Sequence, residues 1–190
     1  YLDNNREIAS ELIDEEGKVI KKEGKIPDGI VKEYYDNGVL KADWNYKNGK
    51  LDGLSKTYFE SGKIMVEIVL KDGEMDGTVK WYYENGKSHR IRNYIKGKLN
   101  GSSKEYYDDG KIMIEYIYKN DKLEGIGKEY YKNGKLSVSY NYKNDKLEGA
   151  CKEYYESGKI KRDMKFKNDK PDGKNLAYYE SGELQEEIDY

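Results

Sequence analysis

Apolar and polar residues alternate along several short segments of the chain. In the segment 40–47, with the sequence LKADWNYK, every second residue is apolar, and the segments 64–70 and 136–142 carry apolar residues in the same columns. This period of two is typical of a β-strand with one buried face. Pairs such as Asn37-Gly38 precede these segments and fit tight turns, since glycine adopts positive φ at no steric cost. The pattern therefore predicts β-hairpins.

The hairpin pattern recurs with a period of 24 residues. A glycine opens each unit, a second glycine follows nine residues later, and two adjacent aromatic residues lie between them. The opening glycines are Gly29, Gly53, Gly77, Gly101, Gly125, Gly149 and Gly173. We therefore divide the chain into seven repeats within 25–190 and a degenerate N-terminal capping unit within 1–24, which lacks the aromatic pair.

Two strands of about seven residues and two short turns fill a 24-residue unit and leave no room for a helix. The chain is thus predicted to be all-β, an elongated single-sheet antiparallel meander of tandem hairpins. About fourteen strands at ~4.8 Å spacing would give a sheet roughly 65 Å long. Such a sheet has no conventional interior, so aromatic columns must stack from one repeat to the next.

The turn residues predict local geometry. Ser-Gly pairs such as Ser157-Gly158 favour a type I turn followed by a glycine bulge. With that turn, the first tyrosine of each pair is predicted to share a face with Leu40 and its equivalents. The second turn changes from Asn48-Gly49 to Asn-Asp in later repeats, and both residues tolerate the left-handed region. The opening glycine is predicted to mark a bulge or a close backbone approach.

Composition explains how such a chain can fold. Of 190 residues, 36% are hydrophobic and 38% charged, and 21 are tyrosine. Mean hydropathy is −1.10, a value that would indicate disorder if tyrosine did not supply large apolar faces with a polar tip. Net charge is only −2, with lysines spread along the chain and few arginines. Without a basic stripe, nucleic-acid binding is not expected.

Other classes are excluded by single residue counts. One cysteine, Cys151, allows no internal disulfide, and one histidine, His89, leaves no His-rich metal site, so no metal, cofactor or catalytic site is expected. Cys151 itself is interpreted as a small strand residue. No apolar run approaches the ~20 residues of a membrane-spanning helix. The first residues do not resemble a signal peptide, so the location is cytoplasmic, or periplasmic or cell-surface if a leader was removed.

The second tyrosines of the pairs are the first candidate site. Tyr83, Tyr107, Tyr131 and Tyr155 would form a stripe suited to protein or glycan contacts. The alternative is that the tyrosine columns are the core, because they recur with the structure and do not cluster at one place.

The third repeat breaks the pattern. Arg90 and Arg92 occupy columns that hold Val66 and Ile68 one repeat earlier, and His89 lies beside them. One interpretation is a site for an anion or an acidic partner. The other is a bulge that shifts the register by one residue and turns the arginines outward.

A carboxylate column accompanies a lysine column. Glu105, Glu129 and Glu153 each follow a lysine. Paired acids can hydrolyse glycosides, but a repeated acid–lysine arrangement is more typical of solvated cross-strand pairs.

The segments 46–53 (YKNGKLDG) and 82–87 (YYENGK) resemble the MORN repeat in its bacterial variant. The array as a whole resembles the YwqK-type antitoxin family, from about residue 27 to 190. This resemblance implies an all-β hairpin array used for binding, without enzymatic chemistry in the repeats, and toxin neutralisation as its role.

A non-enzymatic protein-binding scaffold is therefore the predicted function, with another protein as partner. The alternative is a cell-envelope or surface attachment module that binds lipid or glycan. End-to-end strand pairing would also allow a homodimer.

Overall fold

The computed structural model describes residues 2–3, 6–7, 9–13, 19–24, 26 and 28–190, with side chains described from Gly24 onward within those ranges. Every regular element in this part of the chain is a β-strand, and no helix occurs in it. The all-β prediction is confirmed.

The strands share one arrangement, in which each long strand pairs antiparallel with its sequence neighbour. They are β1 (Leu2–Asp3), β2 (Arg6–Glu7), β3 (Ala9–Ile13), β4 (Val19–Gly24), β5 (Gly29–Tyr34), β6 (Leu40–Lys47), β7 (Lys50–Leu51), β8 (Gly53–Tyr58), β9 (Ile64–Lys71), β10 (Glu74–Tyr82), β11 (Ser88–Ile95), β12 (Lys98–Tyr106), β13 (Ile112–Lys119), β14 (Lys122–Leu123), β15 (Gly125–Tyr130), β16 (Leu136–Lys143), β17 (Lys146–Leu147), β18 (Gly149–Tyr154), β19 (Ile160–Lys167), β20 (Lys170–Pro171), β21 (Lys174–Tyr178) and β22 (Leu184–Asp189).

The N-terminal segment forms two small hairpins, β1 with β2 and β3 with β4. Parts of the predicted capping unit, including residues 14–18, lie outside the described residues. Its capping role stays a prediction.

The chain divides into two compact units. The first comprises Tyr1–Gly86 and Ile95–Gly97, and the second comprises Lys87–Tyr94 and Lys98–Tyr190. In the first unit β5, β6, β8, β9 and β10 pair in chain order. In the second unit the order is β12, β13, β15, β16, β18, β19, β21 and β22. Each unit is thus an open antiparallel meander of hairpins, as the 24-residue period predicts.

The first turn of each repeat is a type I turn with a glycine bulge. In the fifth repeat the N–H of Gly134 donates to the carbonyl oxygen of Tyr131 at 2.8 Å, and the N–H of Tyr131 donates to that of Lys135 at 2.9 Å. Gly134 has a φ of 87°, which glycine tolerates without strain. The predicted turn type is confirmed.

The second turn places two consecutive residues at positive φ, which defines a type I′ hairpin. Asn144 and Asp145 have φ values of 50° and 68°, so the prediction for Asn and Asp is confirmed. The Asp145 carboxylate also accepts a hydrogen bond from the N–H of Leu123 in the preceding repeat, at 2.7 Å. Aspartate in place of glycine thus adds a bond between repeats.

The opening glycine has a positive φ in all seven repeats. A Cβ atom at Gly53 would lie 2.8 Å from Nδ2 of Asn45, and one at Gly77 would lie 3.0 Å from Cβ of Val69. The register between β9 and β10 also shifts across Gly77. The predicted bulge and close approach are both present.

The buried side chains of each unit lie on one face of its sheet, which we call the inner face. They belong to columns two, 13 and 17 residues after the opening glycine and comprise Val31, Ser55, Val79, Ser103, Cys151, Ala42, Tyr46, Leu70 and Tyr94. The opposite, outer face carries lysines and carboxylates. Cys151 is 3% exposed, consistent with a small strand residue.

The first tyrosines lie over the outer face, so the prediction that they share the face of the Leu40 column is wrong. The hydroxyls of Tyr58 and Tyr82 donate to the carboxylates of Asp43 and Glu67, which alternate with the inner-face residues. Thr57 pairs with Val66 and Tyr58 with Ile64. The extra residue therefore lies on the second strand, and the alternation of the first strand continues outward at Tyr58.

The second tyrosines connect successive repeats. The hydroxyl of Tyr131 donates to the carbonyl oxygen of Tyr154 at 2.6 Å, and that of Tyr155 donates to the carbonyl oxygen of Tyr178 at 2.8 Å. A turn lysine makes a parallel bond, from Nζ of Lys135 to the carbonyl oxygen of Ser157 at 2.8 Å. Successive hairpins of the second unit are thus tied together through side chains as well as through the sheet.

We predict that Tyr131→Phe lowers the free energy of unfolding by about 1 kcal/mol, because the bond to the Tyr154 carbonyl is lost. The matched control is Tyr179→Phe at the same position of the last repeat, where the side chain is 51% exposed. Urea denaturation of both variants measures the difference. Equal stability of the two variants would contradict a role for the tyrosine–carbonyl bond.

Candidate functional site

Four tyrosines gather on the inner face of the second unit. Tyr116 and Tyr118 lie on β13 and Tyr140 and Tyr142 on β16, at alternate positions of strands that both pair with β15. All four are half-buried. We call this set the tyrosine face.

Gly127 on β15 forms the floor beneath these rings. A Cβ atom there would lie 2.5 Å from the Tyr116 ring and 3.2 Å from Cε2 of Tyr142. The Tyr116 and Tyr142 rings meet edge to face, with centroids 6.1 Å apart, and those of Tyr140 and Tyr142 are 5.6 Å apart. Other repeats carry a side chain at the Gly127 position, so glycine here makes room for the aromatic cluster.

Glu129 adjoins the same cluster. The hydroxyl of Tyr116 donates to Oε1 of Glu129 at 2.6 Å. Burial, followed by this hydrogen bond, raises the pKa of Tyr116, and burial with the nearby Glu129 charge raises the pKa of Tyr140 to about 12. Both phenols therefore remain neutral donors at physiological pH.

The two arginines of the third repeat point to the inner face. Nε of Arg90 lies 2.7 Å and Nη2 of Arg92 lies 3.4 Å from Oε1 of Glu105. The alternation continues from them to Tyr94, which is 9% exposed. The register-bulge interpretation, with outward arginines, is therefore wrong. His89 alternates with the two arginines along the strand.

The lysine and glutamate columns lie on opposite faces. Nζ of Lys104 lies 2.8 Å from Oε1 of Glu115 across the strand pair, and the hydroxyl of Tyr130 donates to Oε2 of the same carboxylate at 2.8 Å. Cross-strand pairs are thus present, as predicted. The lysine pairs do not use the predicted Glu105, Glu129 and Glu153, because adjacent strand residues project to opposite faces. Glu105 and Glu153 instead form ion pairs with arginines of neighbouring strands.

The predicted tyrosine stripe has a different setting from the tyrosine face. Tyr83, Tyr107, Tyr131 and Tyr155 are half-buried at the first turns. The hydroxyls of Tyr107, Tyr131 and Tyr155 donate to backbone carbonyls of the following repeat.

Sequence reasoning missed Tyr116, Tyr140, Gly127 and Glu129 as one cluster. A signal was present, since Gly127 stands outside the 24-residue glycine period.

The described residues contain no group of three or more His, Cys, Asp or Glu side chains that could hold a metal ion. They also include no helix long and apolar enough to cross a membrane. Burial raises the pKa of the Cys151 thiol to about 11, so this cysteine is not a thiolate at neutral pH.

Seven stretches match the family model described as "MORN repeat variant". They are residues 27–48, 51–72, 75–96, 99–120, 123–144, 147–168 and 171–190. The chain belongs to the MORN repeat family. The seven stretches that the family model matches correspond to the seven repeats found in the sequence. MORN repeats form a repeat scaffold.

No curated protein matches this MORN-repeat chain. Among solved structures, it is similar to a crystal structure of a mutant of S. aureus TarM in complex with Fondaparinux, alpha-GlcNAc-glycerol and UDP. The identity is 14% and the TM-score 0.35, and the match covers 63% of this chain and 21% of that one. The chain thus spans about a fifth of the TarM chain, and the likeness is too low to support a comparison of function.

We predict that Gly127→Ala destabilises the protein by about 1–3 kcal/mol, because the methyl group overlaps the Tyr116 ring. In a Tyr116→Ala background the same substitution has room and costs much less, so the double-mutant cycle shows a large coupling energy. Urea denaturation of the four proteins measures this coupling. Additive effects would mean that the ring does not pack on Gly127.

We predict that stability falls as the pH rises from about 10 to about 12, because outer-face phenols titrate later in the folded than in the unfolded chain. Burial and the bond to Glu115 raise the pKa of Tyr130 to about 12, whereas an unfolded tyrosine titrates near pH ~10. The Tyr130→Phe variant should therefore show a shallower decline than the unmodified protein. Urea denaturation across this pH range measures the free energy of unfolding of both proteins. An equally steep decline of the two would contradict the prediction.

Proposed function

We propose that the protein is a non-enzymatic protein-binding scaffold whose partner docks on the tyrosine face. The proposal rests on the fact that three tyrosine hydroxyls of this face form no hydrogen bond within the described residues. Those of Tyr118, Tyr140 and Tyr142 have no hydrogen-bond partner among the described residues, and none of the three is a buried unsatisfied atom. These hydroxyls are therefore not fully buried and can bond to a partner.

The chemistry of the tyrosine face suits protein recognition. Tyrosine is enriched at protein interfaces because a rigid, large ring brings apolar area and a polar tip at low entropic cost. The second tyrosines differ, since the hydroxyls of Tyr107, Tyr131 and Tyr155 are already bound within the array. Arg90 and Arg92 lie on the inner face of the same unit and supply charge for the same docking event.

The non-enzymatic part of the proposal is supported by the roles of the inner-face acids. Glu105 is paired with arginines, Glu129 accepts a tyrosine hydroxyl, and Glu153 lies 3.7 Å from Nη1 of Arg162. Each of these carboxylates is therefore already engaged by a side chain of the sheet itself.

The resemblance to the YwqK-type antitoxin family supports a narrower form, in which the partner is a toxin that this scaffold neutralises in a bacterial cell. A homodimer formed by end-to-end strand pairing stays a prediction.

We predict that the tagged protein captures one stoichiometric protein from its native host, and that Tyr140→Ala weakens this capture. The control is Ile117→Ala, which removes a 47% exposed side chain from the outer face of the same unit. Quantitative pull-down followed by mass spectrometry compares the three proteins. Equal capture by the Tyr140 variant would contradict the tyrosine face as the docking surface. Co-sedimentation with liposomes or glycan without any protein partner would replace the proposal by envelope attachment.

A further inference from the structure

Three glutamates occupy the same inner-face position in successive repeats, but only two of them have a basic partner. Glu105 is paired with Arg90 and Arg92, and Glu153 with Arg162. Glu129 lies between them along the chain, and its partner among the described residues is the hydroxyl of Tyr116. In the described part of the chain, Glu129 therefore lacks the basic partner that Glu105 and Glu153 have.

In the preceding repeat, two arginines of the neighbouring strand pair with the glutamate at this position. Arg90 and Arg92 precede Glu105 by 15 and 13 residues, and the same offsets from Glu129 lead to Ile114 and Tyr116. Ile114 is also the direct register partner of Glu129, and on the other side that partner is Val138. Neither neighbouring strand thus supplies a cation at the positions that face Glu129.

The unused acceptor capacity of Glu129 is surrounded by rings. An ionised carboxylate offers about four acceptor sites, and Tyr116 uses one of them. Tyr140 lies two residues from Val138, the register partner of Glu129, and burial together with the Glu129 charge raises the pKa of its phenol. Aromatic rings attract cations, so the carboxylate and the rings favour the same kind of ligand.

We propose that Glu129, with Tyr116 and Tyr140, forms a binding site for an arginine side chain of the protein partner. The guanidinium would take the place that the chain's own arginines take beside Glu105. Arginine fits better than lysine because its planar group can stack on a tyrosine ring while its fork bonds a carboxylate. This inference rests on the proposed protein-binding function and names the chemistry that the partner brings.

The test uses the full chain with ¹³C-labelled tyrosine rings and two small probes. N-acetyl-arginine amide carries the guanidinium, and N-acetyl-citrulline amide has the same shape without the charge. NMR titration follows the ring signals of Tyr116 and Tyr140, assigned by single Tyr→Phe variants. We expect the arginine probe to shift these signals, and the citrulline probe to bind at least about tenfold more weakly, since a charged hydrogen bond is lost.

Two variants of the same shape provide the controls. Glu129→Gln should weaken binding of the arginine probe at least about tenfold, while Glu153→Gln, at the equivalent position of the next repeat, should leave the shift that the arginine probe induces at Tyr116 unchanged. Unaltered ring signals of the tyrosines outside this cluster show that both free variants remain folded. Equal binding of the two probes, or unchanged arginine binding by Glu129→Gln, would overturn the site.

Failure here is distinguishable from failure of the proposed function. If the host partner binds through Tyr140 but with the same affinity for Glu129→Gln, only the arginine site is refuted. If capture is insensitive to Tyr140→Ala, the docking surface itself is refuted.

Discussion

The bond between one repeat and the next is the constraint on which the structure depends. A sheet of short hairpins has few fully buried side chains, and single hairpins are marginal in water. Here the hydroxyls of four second tyrosines, Tyr35, Tyr107, Tyr131 and Tyr155, donate to the backbone of the following hairpin, as from Tyr131 to Tyr154 at 2.6 Å. Turn lysines and the carboxylate of Asp145 add bonds between the same neighbours. Stability is therefore approximately a sum over neighbouring repeats, as in other repeat proteins.

These bonds are made by residues of the two turns and of the outer face. The side chains of the inner face can therefore differ from one repeat to the next. The outer face repeats one network, in which a lysine, a carboxylate and a tyrosine meet across strands, as in Lys104, Glu115 and Tyr130. The inner face changes from repeat to repeat. It carries arginines at one point and a tyrosine cluster over Gly127 at another. Variation on a constant frame is how repeat scaffolds acquire distinct binding surfaces.

The electrostatics of the inner face follow from substitutions at equivalent positions. Replacing the arginines of one repeat by Ile114 and Tyr116 in the next removes the cations beside Glu129. A half-buried carboxylate with spare acceptor sites, next to rings, is costly to leave without a partner. The tyrosine hydroxyl offsets part of that cost, and a docked cation would offset more.

The sequence by itself determined the hairpin period, the seven repeats, both turn types and the opening bulge, because these depend on local backbone preferences of glycine, asparagine and aspartate. It also indicated the strands, because alternation is a local pattern. Only the tertiary structure decided which face each tyrosine takes, since one unpaired residue on the partner strand sets the phase at Tyr58. The same holds for the inward arginines and for the ring of Tyr116 above Gly127. Those contacts join residues of different strands, and no local preference specifies them.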